Sequence, residues 1–530
     1  MSASQGPATA RRTMPPAMPL PRRLGLGRVT AWIREARGWR ADLCAVLAGT
    51  VTAAALPPVN AVPVLLVTIP VLLMLIAASP RPLVAARRGF FFGFGLNLLG
   101  LYWITDAILF EAALFWWLVP LAVPGLSAAV AMFIAIPAAI TRLARPGWPA
   151  VLALAGSWGA ADLVRQFFAT GFPWNPLGSV WELPGYPGDV MIQLASLIGV
   201  HGLTLLTLLV AATPLLGRSG RIAGALLLAA WCAFGVARLD QPAPPPTGLK
   251  ALLIQGNVAQ GQKWDRALMV SIFRHYLELT RQAADSTHGQ PAVVVWPETA
   301  SPALLQTDPE ARHLIAEAAG GNQSLIGSVR FGTDDRPRNS LFALGSDGSI
   351  EGIYDKWHLV PFGEYQPDWL PAFLQFIPGN GFAAGPGPQT LHMPGLPPVG
   401  ALICYEAIFP AQVIDRADRP AWMVNVTNDA WFGNSSGPRQ HLAAVRMRAV
   451  EEGLPVMRAA NTGISAAFDA YGHELKHLGM QKTGYLSVDI PGALPMTPFS
   501  RFGLLLPVGL CAVVLFVAFG VRMGAQKPIS

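Results

Sequence analysis

Charge is what this sequence has least of. Asp, Glu, Lys and Arg make up 13% of its 530 residues, about half the ~25% of an ordinary soluble domain. Hydrophobic residues make up 52%, which excludes a disordered chain and argues against a wholly soluble one. Cysteine is nearly absent. Cys44, Cys232, Cys404 and Cys511 are too few and too scattered for a disulfide framework or a paired-cysteine metal site. Acidic residues are outnumbered, leaving a net charge of +7, yet the basic residues do not cluster within a folded domain. Nucleic acid is therefore not an expected partner. The arginines sit in short groups beside apolar runs, which is a membrane signature.

Residues 1–40 carry Arg11, Arg12, Arg22, Arg23, Arg28, Arg34, Arg37 and Arg40 against the single acid Glu35. The stretch is too long, basic and proline-rich for a cleaved signal peptide and reads as a cytoplasmic tail. Apolar runs of membrane-spanning length follow at 41–57, 61–79, 89–108, 114–140, 149–165, 190–216 and 221–238, with another at 502–521. The first is short and the fourth carries Pro120, Pro124 and Pro137, so either is a candidate for a kinked or re-entrant segment. Alternate connections hold Arg81, Arg87 and Arg88, then Arg142 and Arg145, then Arg218 and Arg221, then Arg522 and Lys527. The connections between them hold Asp106, Glu111, Glu182 and Asp189. Lys and Arg stay on the cytoplasmic side, so the pattern predicts about eight spans: seven within 41–240 and the last within 500–522, followed by a cytoplasmic tail at 523–530. Residues 245–495 then lie outside.

That outer block opens with a proline-rich hinge at 241–247 and changes character. Its apolar runs are strand-length: 249–255, 292–296, 324–329, 399–404, 421–426, 464–468 and 485–490, with helical patterns at 266–284 and 441–452. Strands alternating with helices over this length predict one α/β domain.

Three segments of the block carry chemistry. Glu298 follows an apolar strand in Trp296-Pro297-Glu298, Lys356 opens a turn-rich loop that reaches Glu364, and Cys404 ends a strand just before Tyr405-Glu406. A thiol needs a base to become a nucleophile, and a cation beside it stabilises both the thiolate and a later oxyanion. Glu, Lys and Cys at successive strand ends supply those roles. A lone cysteine after a strand is more often a small buried hydrophobe, so spacing by itself does not decide the matter.

The combination of segments resembles the signatures of the nitrilase superfamily. Further motifs resemble its membrane branch, the apolipoprotein N-acyltransferases. They are Gln255-Gly-Asn257 with Lys263-Trp264-Asp265, Val360-Pro-Phe-Gly-Glu364, Asn428-Asp-Ala-Trp431, Gly437-Pro-Arg-Gln-His441, Arg458-Ala-Ala-Asn461 and, in the apolar half, Gly171-Phe-Pro-Trp174-Asn-Pro-Leu-Gly178. The resemblance spans about 40–520. It implies an αββα sandwich in the periplasm, attached to a multi-pass domain in a bacterial inner membrane. It also implies transfer of an acyl chain from a membrane phospholipid to the N-terminal amine of a diacylglyceryl apolipoprotein, through an acyl-thioester on Cys404. Glu298 is then the base and Lys356 the oxyanion stabiliser, with Glu364 and Glu406 in support, Trp264, Tyr405 and Trp431 near the substrates, and no metal or organic cofactor.

The nearest rival, a membrane-tethered amidase, gives no reason for the Gly171–Gly178 match. Intramembrane ionisable residues are functional candidates, and of Asp162, Arg165 and His201 the arginine is the one expected near a lipid headgroup. His473-Glu-Leu-Lys-His477 fits a zinc-protease pattern that works only on a helix, whereas its flanking Gly472 and Gly479 predict a hairpin arm. The 362–385 loop, rich in Phe, Pro and Gly, is expected to form an apolar lid.

Overall fold

The computed structural model describes residues 26–110, 112–263, 265–367 and 381–520. The tail before residue 26, Glu111, Trp264, residues 368–380 of the expected lid, and Arg522 and Lys527 lie outside the described residues.

The first half is helical. It comprises α1 (Leu26–Glu35), α2 (Gly38–Ala53), α3 (Leu65–Ala77), α4 (Pro82–Gly100), the short α5 (Ile104–Leu109) and α6 (Ala112–Phe115), α7 (Val119–Leu143), α8 (Trp148–Arg165), α9 (Tyr186–Ile192), α10 (Ala195–Ala212) and α11 (Gly217–Leu239). Among the described residues, two helical stretches are long and apolar enough to cross a membrane, Trp116–Leu143 and Ala195–Leu239. The second exceeds one bilayer thickness at 1.5 Å per residue, and Gly217, at φ +68°, breaks it into α10 and α11. Val62–Ala77 and Leu505–Gly520 are shorter apolar helices. Small residues set the packing distances. A Cβ on Gly89 would lie 2.5 Å from Ala138 Cβ, and one on Gly93 would lie 2.9 Å from Ala131 Cα. The Gly-x-x-x-Gly pair of α4 is therefore used against α7 within this chain.

The second half is a sandwich of two six-stranded sheets. Its strands are β1 (Lys250–Gln255), β2 (Ala292–Trp296), β3 (Gln323–Phe331), β4 (Pro337–Leu344), β5 (Ile350–Asp355), β6 (Thr390–Leu391), β7 (Val399–Ile403), β8 (Trp422–Thr427), β9 (Val456–Ala460), β10 (Ser465–Phe468), β11 (Glu474–Leu478) and β12 (Gly484–Asp489). One sheet runs β12-β1-β2-β3-β4-β5 and the other β11-β10-β9-β8-β7-β6. β1, β2 and β3 are parallel, as are β7, β8 and β9.

Period-2 alternation explains the layers. Leu253, Val293, Val295 and Leu341 of the first sheet meet Ala401, Ile403, Val424, Val426 and Met457 of the second. Their neighbours Leu252, Ile254, Val294 and Trp296 face outward onto α12 (Met269–Asp285) and α13 (Pro309–Ala318). Leu402, Met423 and Val456 face α14 (Gly437–Glu452). Each fully buried aliphatic side chain stabilises this arrangement by about 1.5–3 kcal/mol relative to exposure. The result is the expected αββα stack, followed by α15 (Pro498–Phe502) and α16 (Leu505–Gly520). His473–His477 falls on β11 and the turn before it, and β11 pairs antiparallel with β10.

α14 is buried on both faces, because the helical half packs against its outer side. Met447 and Val450 join Met191, Ile192, Val200, Leu203 and Trp231 in one apolar cluster. Arg446 pairs with Asp189 at 2.5 Å and Glu182 at 3.3 Å, and Glu451 accepts the Val200 N–H at 2.8 Å. The three ionisable candidates Asp162, Arg165 and His201 of the helical half are also enclosed. Arg165 is 6% exposed and its guanidinium lies 3.3 Å from Asp162, while His201 Nε2 lies 3.2 Å from Gln166 Oε1. The arginine expected at a headgroup is an interior residue here.

Candidate active site

Cys404, Glu298 and Lys356 come together where both sheets end. β2 delivers Glu298 through the turn at Trp296-Pro297, and the chain can make that turn because residue 327 on β3 is glycine. A Cβ there would lie 2.1 Å from Pro297 O. β5 delivers Lys356, whose N–H continues the ladder by donating to Asn339 O at 2.8 Å. β7 delivers Cys404, which takes φ +51° and starts a 3-10 turn over Cys404–Ile408. A left-handed backbone at a non-glycine residue is costly and concentrates at functional sites.

Lys356 Nζ lies 3.2 Å from Glu298 Oε1 and 2.9 Å from Glu364. Asn339, from β4, donates to both carboxylates, at 2.7 Å to Glu298 and 2.9 Å to Glu364. Glu298 Oε2 accepts the Asn428 N–H at 2.8 Å, and Glu364 Oε2 accepts the Val360 N–H at 2.8 Å. Every carboxylate oxygen of the pair thus has a donor, which fixes their orientation toward the lysine.

The electrostatics follow from burial and pairing. Burial alone would lower the Lys356 ammonium pKa, but the carboxylates of Glu298 and Glu364 outweigh it and raise it. Burial likewise opposes ionisation of Glu298, yet Lys356, the Asn339 amide and Lys263 hold it below the usual carboxylate range. The Cys404 thiol, 7% exposed, is pushed up by burial and by the Glu298 charge, with Lys356 opposing. The resting site is a neutral thiol beside an ionised carboxylate and an ammonium. That is the protonation state in which a carboxylate can serve as general base.

Glu364 supports the lysine directly. Glu406 acts on the chain around it: its Oε1 accepts Tyr354 OH at 2.7 Å and Trp357 N–H at 2.8 Å, and its Oε2 accepts Ile403 N–H at 2.6 Å. It therefore ties the loop after Lys356 to the strand before Cys404. Burial raises its pKa to about 7 against those hydrogen bonds. Tyr405 is buried and its hydroxyl donates to Gly171 O at 3.1 Å, so it joins the site to the helical half. Trp431 is 40% exposed and packs edge-on against Phe110 at 5.0 Å.

Several site residues carried no assigned role in the sequence. Asn339 lies in a strand whose first half is polar. Lys263 Nζ donates to Glu298 O at 3.0 Å, and burial lowers its pKa to about 8 although Glu298 and Cys404 oppose the fall. On the far side of the cysteine, His441 Nε2 lies 3.0 Å from Cys404 O and its Nδ1 lies 3.0 Å from Asp429 Oδ1. Arg458 donates to Asp429 Oδ2 at 2.6 Å. The only signal for Asp429, His441 and Arg458 was their place in the motifs 428–431, 437–441 and 458–461. Donor atoms of Cys404, Asp429 and His441 lie within 4.8 Å of one another, the spacing of a metal site. Both ring nitrogens and both Asp429 oxygens, however, already face protein partners.

Two family models match the chain: "Apolipoprotein N-acyltransferase N-terminal domain" over residues 48–213 and "Carbon-nitrogen hydrolase" over residues 253–494. A protein of Bradyrhizobium diazoefficiens named apolipoprotein N-acyltransferase is 40% identical over 542 aligned positions, covering 96% of this chain and 99% of its own. One of the same name from Rhodopseudomonas palustris is 38% identical over 528, covering 94% and 98%. Among solved structures, a mutant of an amidase of the nitrilase superfamily from Nesterenkonia AN1 aligns with 47% of this chain and 94% of its own, at 18% identity and a TM-score of 0.35.

Proposed function

The chain belongs to the apolipoprotein N-acyltransferase family, and on that premise we propose that Cys404 carries the acyl group between two lipid substrates. The reaction moves an acyl chain from a phospholipid to the N-terminal amino group of a lipoprotein's diacylglyceryl cysteine. The observation that carries the thioester route is a buried thiol near an ionised Glu298, which is itself 3.2 Å from Lys356.

In the first half-reaction Glu298 takes the Sγ proton and the thiolate attacks the phospholipid ester carbon. Lys356 and the Tyr405 N–H stabilise the tetrahedral oxyanion. Collapse breaks the ester C–O bond, and Glu298 returns the proton to the leaving lysophospholipid. In the second half, the neutral amine attacks the thioester carbon while Glu298 accepts its proton. The C–S bond then breaks, the amide forms, and the thiol is regenerated.

The membrane reading extends the same proposal. Eight spans place Arg81, Arg87, Arg88, Arg142, Arg145, Arg218 and Arg221 inside, and the sandwich at 245–495 outside. Both substrates are lipids, so a thiol held at headgroup depth meets each without either leaving the bilayer. Trp264 and Trp431, with the 362–385 loop, are the candidates for contact with acyl chains.

Intact-mass measurement tests the thioester. Protein purified from membranes and incubated with phospholipid, without acceptor, should gain one acyl chain on Cys404, removable by hydroxylamine. An enzyme that turns over with no such adduct would have to transfer directly, and the Cys404 assignment would fail.

A further inference from the structure

His441 is enclosed between the nucleophile and an ion pair. It is 1% exposed, and its two ring nitrogens have separate tasks. Nε2 is 3.0 Å from the Cys404 carbonyl oxygen, which can only accept, so Nε2 donates. Nδ1 is 3.0 Å from Asp429 Oδ1. The Asp429 carboxylate is held ionised, at about 2, because Arg458 and His441 outweigh its burial. The Arg458 guanidinium also approaches Nδ1, at 3.4 Å, so the Asp429–Arg458 pair holds that edge of the ring. Asp429 is fixed in turn by Arg458 at 2.6 Å and by the Thr427 hydroxyl at 3.0 Å, and Arg458 also bonds Asn425. The imidazole is thus held at one end by a buried ion pair and grips the Cys404 backbone with the other.

Its partner decides what it does. A histidine acting as base on a cysteine would bond the sulfur, whereas Nε2 here bonds the main-chain oxygen, leaving proton transfer to Glu298. A trans peptide unit is planar, with its C=O and the following N–H pointing opposite ways. Fixing the Cys404 carbonyl toward His441 therefore fixes the Tyr405 N–H away from it. The same grip holds Cys404 in its left-handed backbone, a conformation that persists only where surroundings enforce it.

We propose that His441 is a positioning residue for acyl transfer, whose hold on the Cys404 carbonyl aims the Tyr405 N–H at the oxyanion. This rests on the thioester route through Cys404. Asp429 and Arg458 orient the imidazole, and Gln440, the preceding residue, is bound by Trp103 and Trp174 of the helical half at 3.1 and 2.9 Å. Docking of the two halves thereby sets the aim of the oxyanion donor.

The test compares two reactions of one thiol in the full-length enzyme. Alkylation by iodoacetamide forms no oxyanion, whereas thioester formation from phospholipid does. The wild-type adduct on Cys404 is confirmed first, and its absence would count against the thioester route rather than this role. His441→Ala should slow thioester formation about a hundredfold, the scale of one lost oxyanion donor, at unchanged phospholipid KM, with alkylation within about threefold of wild type. His441→Gln keeps a donor near the Nε2 position and should recover at least tenfold of that loss. Thioester formation at the wild-type rate in His441→Ala overturns the proposal. So does alkylation falling in step with acylation, because the residue would then only maintain the site's shape. If the alanine variant does not fold, the glutamine variant decides alone. An intermediate acylation rate with normal alkylation supports the role, and parallel loss of both overturns it.

Discussion

Gln440 and His441 are consecutive on α14 and bond in opposite directions. The Gln440 amide oxygen accepts both Trp103 and Trp174 and its nitrogen donates to Pro57 O at 3.2 Å, so three segments of the helical half meet on one side chain. His441 bonds the backbone of Cys404. The helical half and the nucleophile are therefore held by adjacent residues, and the Gly171–Gly178 motif, which supplies Trp174, acquires a mechanical purpose.

Cysteine replacement separates the four thiols. Cys404→Ser should remain folded and lose N-acylation, while Cys44→Ala, Cys232→Ala and Cys511→Ala keep most of it. An acylation assay on solubilised membranes decides. Activity that survived in Cys404→Ser and vanished in one of the others would move the nucleophile.

Glu298→Gln and Lys356→Met should each abolish the thioester for different reasons. The glutamine cannot accept the thiol proton. The methionine removes the cation, a loss of roughly 3 kcal/mol or more of transition-state stabilisation by analogy with deleted oxyanion donors, and leaves Glu298 and Glu364 facing each other across Asn339 without the ammonium they share. Released lysophospholipid, measured without acceptor, checks both variants. Normal thioester accumulation in Glu298→Gln would assign the base elsewhere.

Glu406→Gln should differ in kind. Its carboxylate receives the Tyr354 hydroxyl and the N–H groups of Trp357 and Ile403, and an amide presents one oxygen to them. At least one buried donor loses its partner, at about 1–3 kcal/mol. Lower thermal stability in detergent should accompany a similar slowing of both half-reactions, because the loops bearing Lys356 and Cys404 shift together.

Stability should depend on pH at the joint between the halves. Burial raises Glu451 to about 7, although Arg448 and the Val200 N–H oppose it. A carboxyl group whose folded pKa lies above its unfolded one contributes stability that is complete below about 4.5 and lost as pH rises through about 7. Glu451→Gln should remove about one proton's share of that decline, up to ~1.4 kcal/mol per pH unit. Melting curves between pH 4.5 and 7.5 measure it, and an unchanged slope would show that Glu451 does not titrate there. Glu182, raised by burial to about 7 despite Arg446, and Glu406, raised likewise, should add to the slope that remains.

Labelling of engineered cysteines tests the topology. Positions 285 and 347 should react with impermeant reagents from the periplasm, and positions 87 and 145 only after the cytoplasmic face is opened. Cytoplasmic labelling at 347 would remove the sandwich from its substrates.

Most strands that sequence reasoning found are built on an apolar run, such as Val293–Val295 on β2. Those it missed carry polar residues whose partners are distant in sequence. β9 is centred on Arg458, which reads as a surface residue until Asp429 and Asn425 are seen beside it. β4 opens Pro337-Arg338-Asn339, and its asparagine serves two carboxylates from other segments. Glu298 and Cys404 were legible because each stands at the end of an apolar run, and Lys356 because it opens a turn-rich loop that reaches a second acid. His441 was legible only as a letter in a motif, since its role depends on the carbonyl of a residue 37 positions away. The helical half showed its runs clearly, but their docking onto α14 is written in single residues such as Asp189 and Glu451.

The pairing of the first strand with the last has a consequence for biosynthesis. β1 lies between β2 and β12, with Lys250 opposite Asp489 and Gln255 opposite Gly484. A ribosome that has delivered β1 must translate nearly the whole sandwich before that edge is covered, and an uncovered strand edge invites pairing with other chains. Pro498, which starts α15, follows soon after Asp489. The edge of β1 is thus covered almost as the final apolar helix leaves the ribosome. A nascent chain arrested before residue 484 would hold an open edge, which makes that interval the one where chaperones and proteases have most to act on.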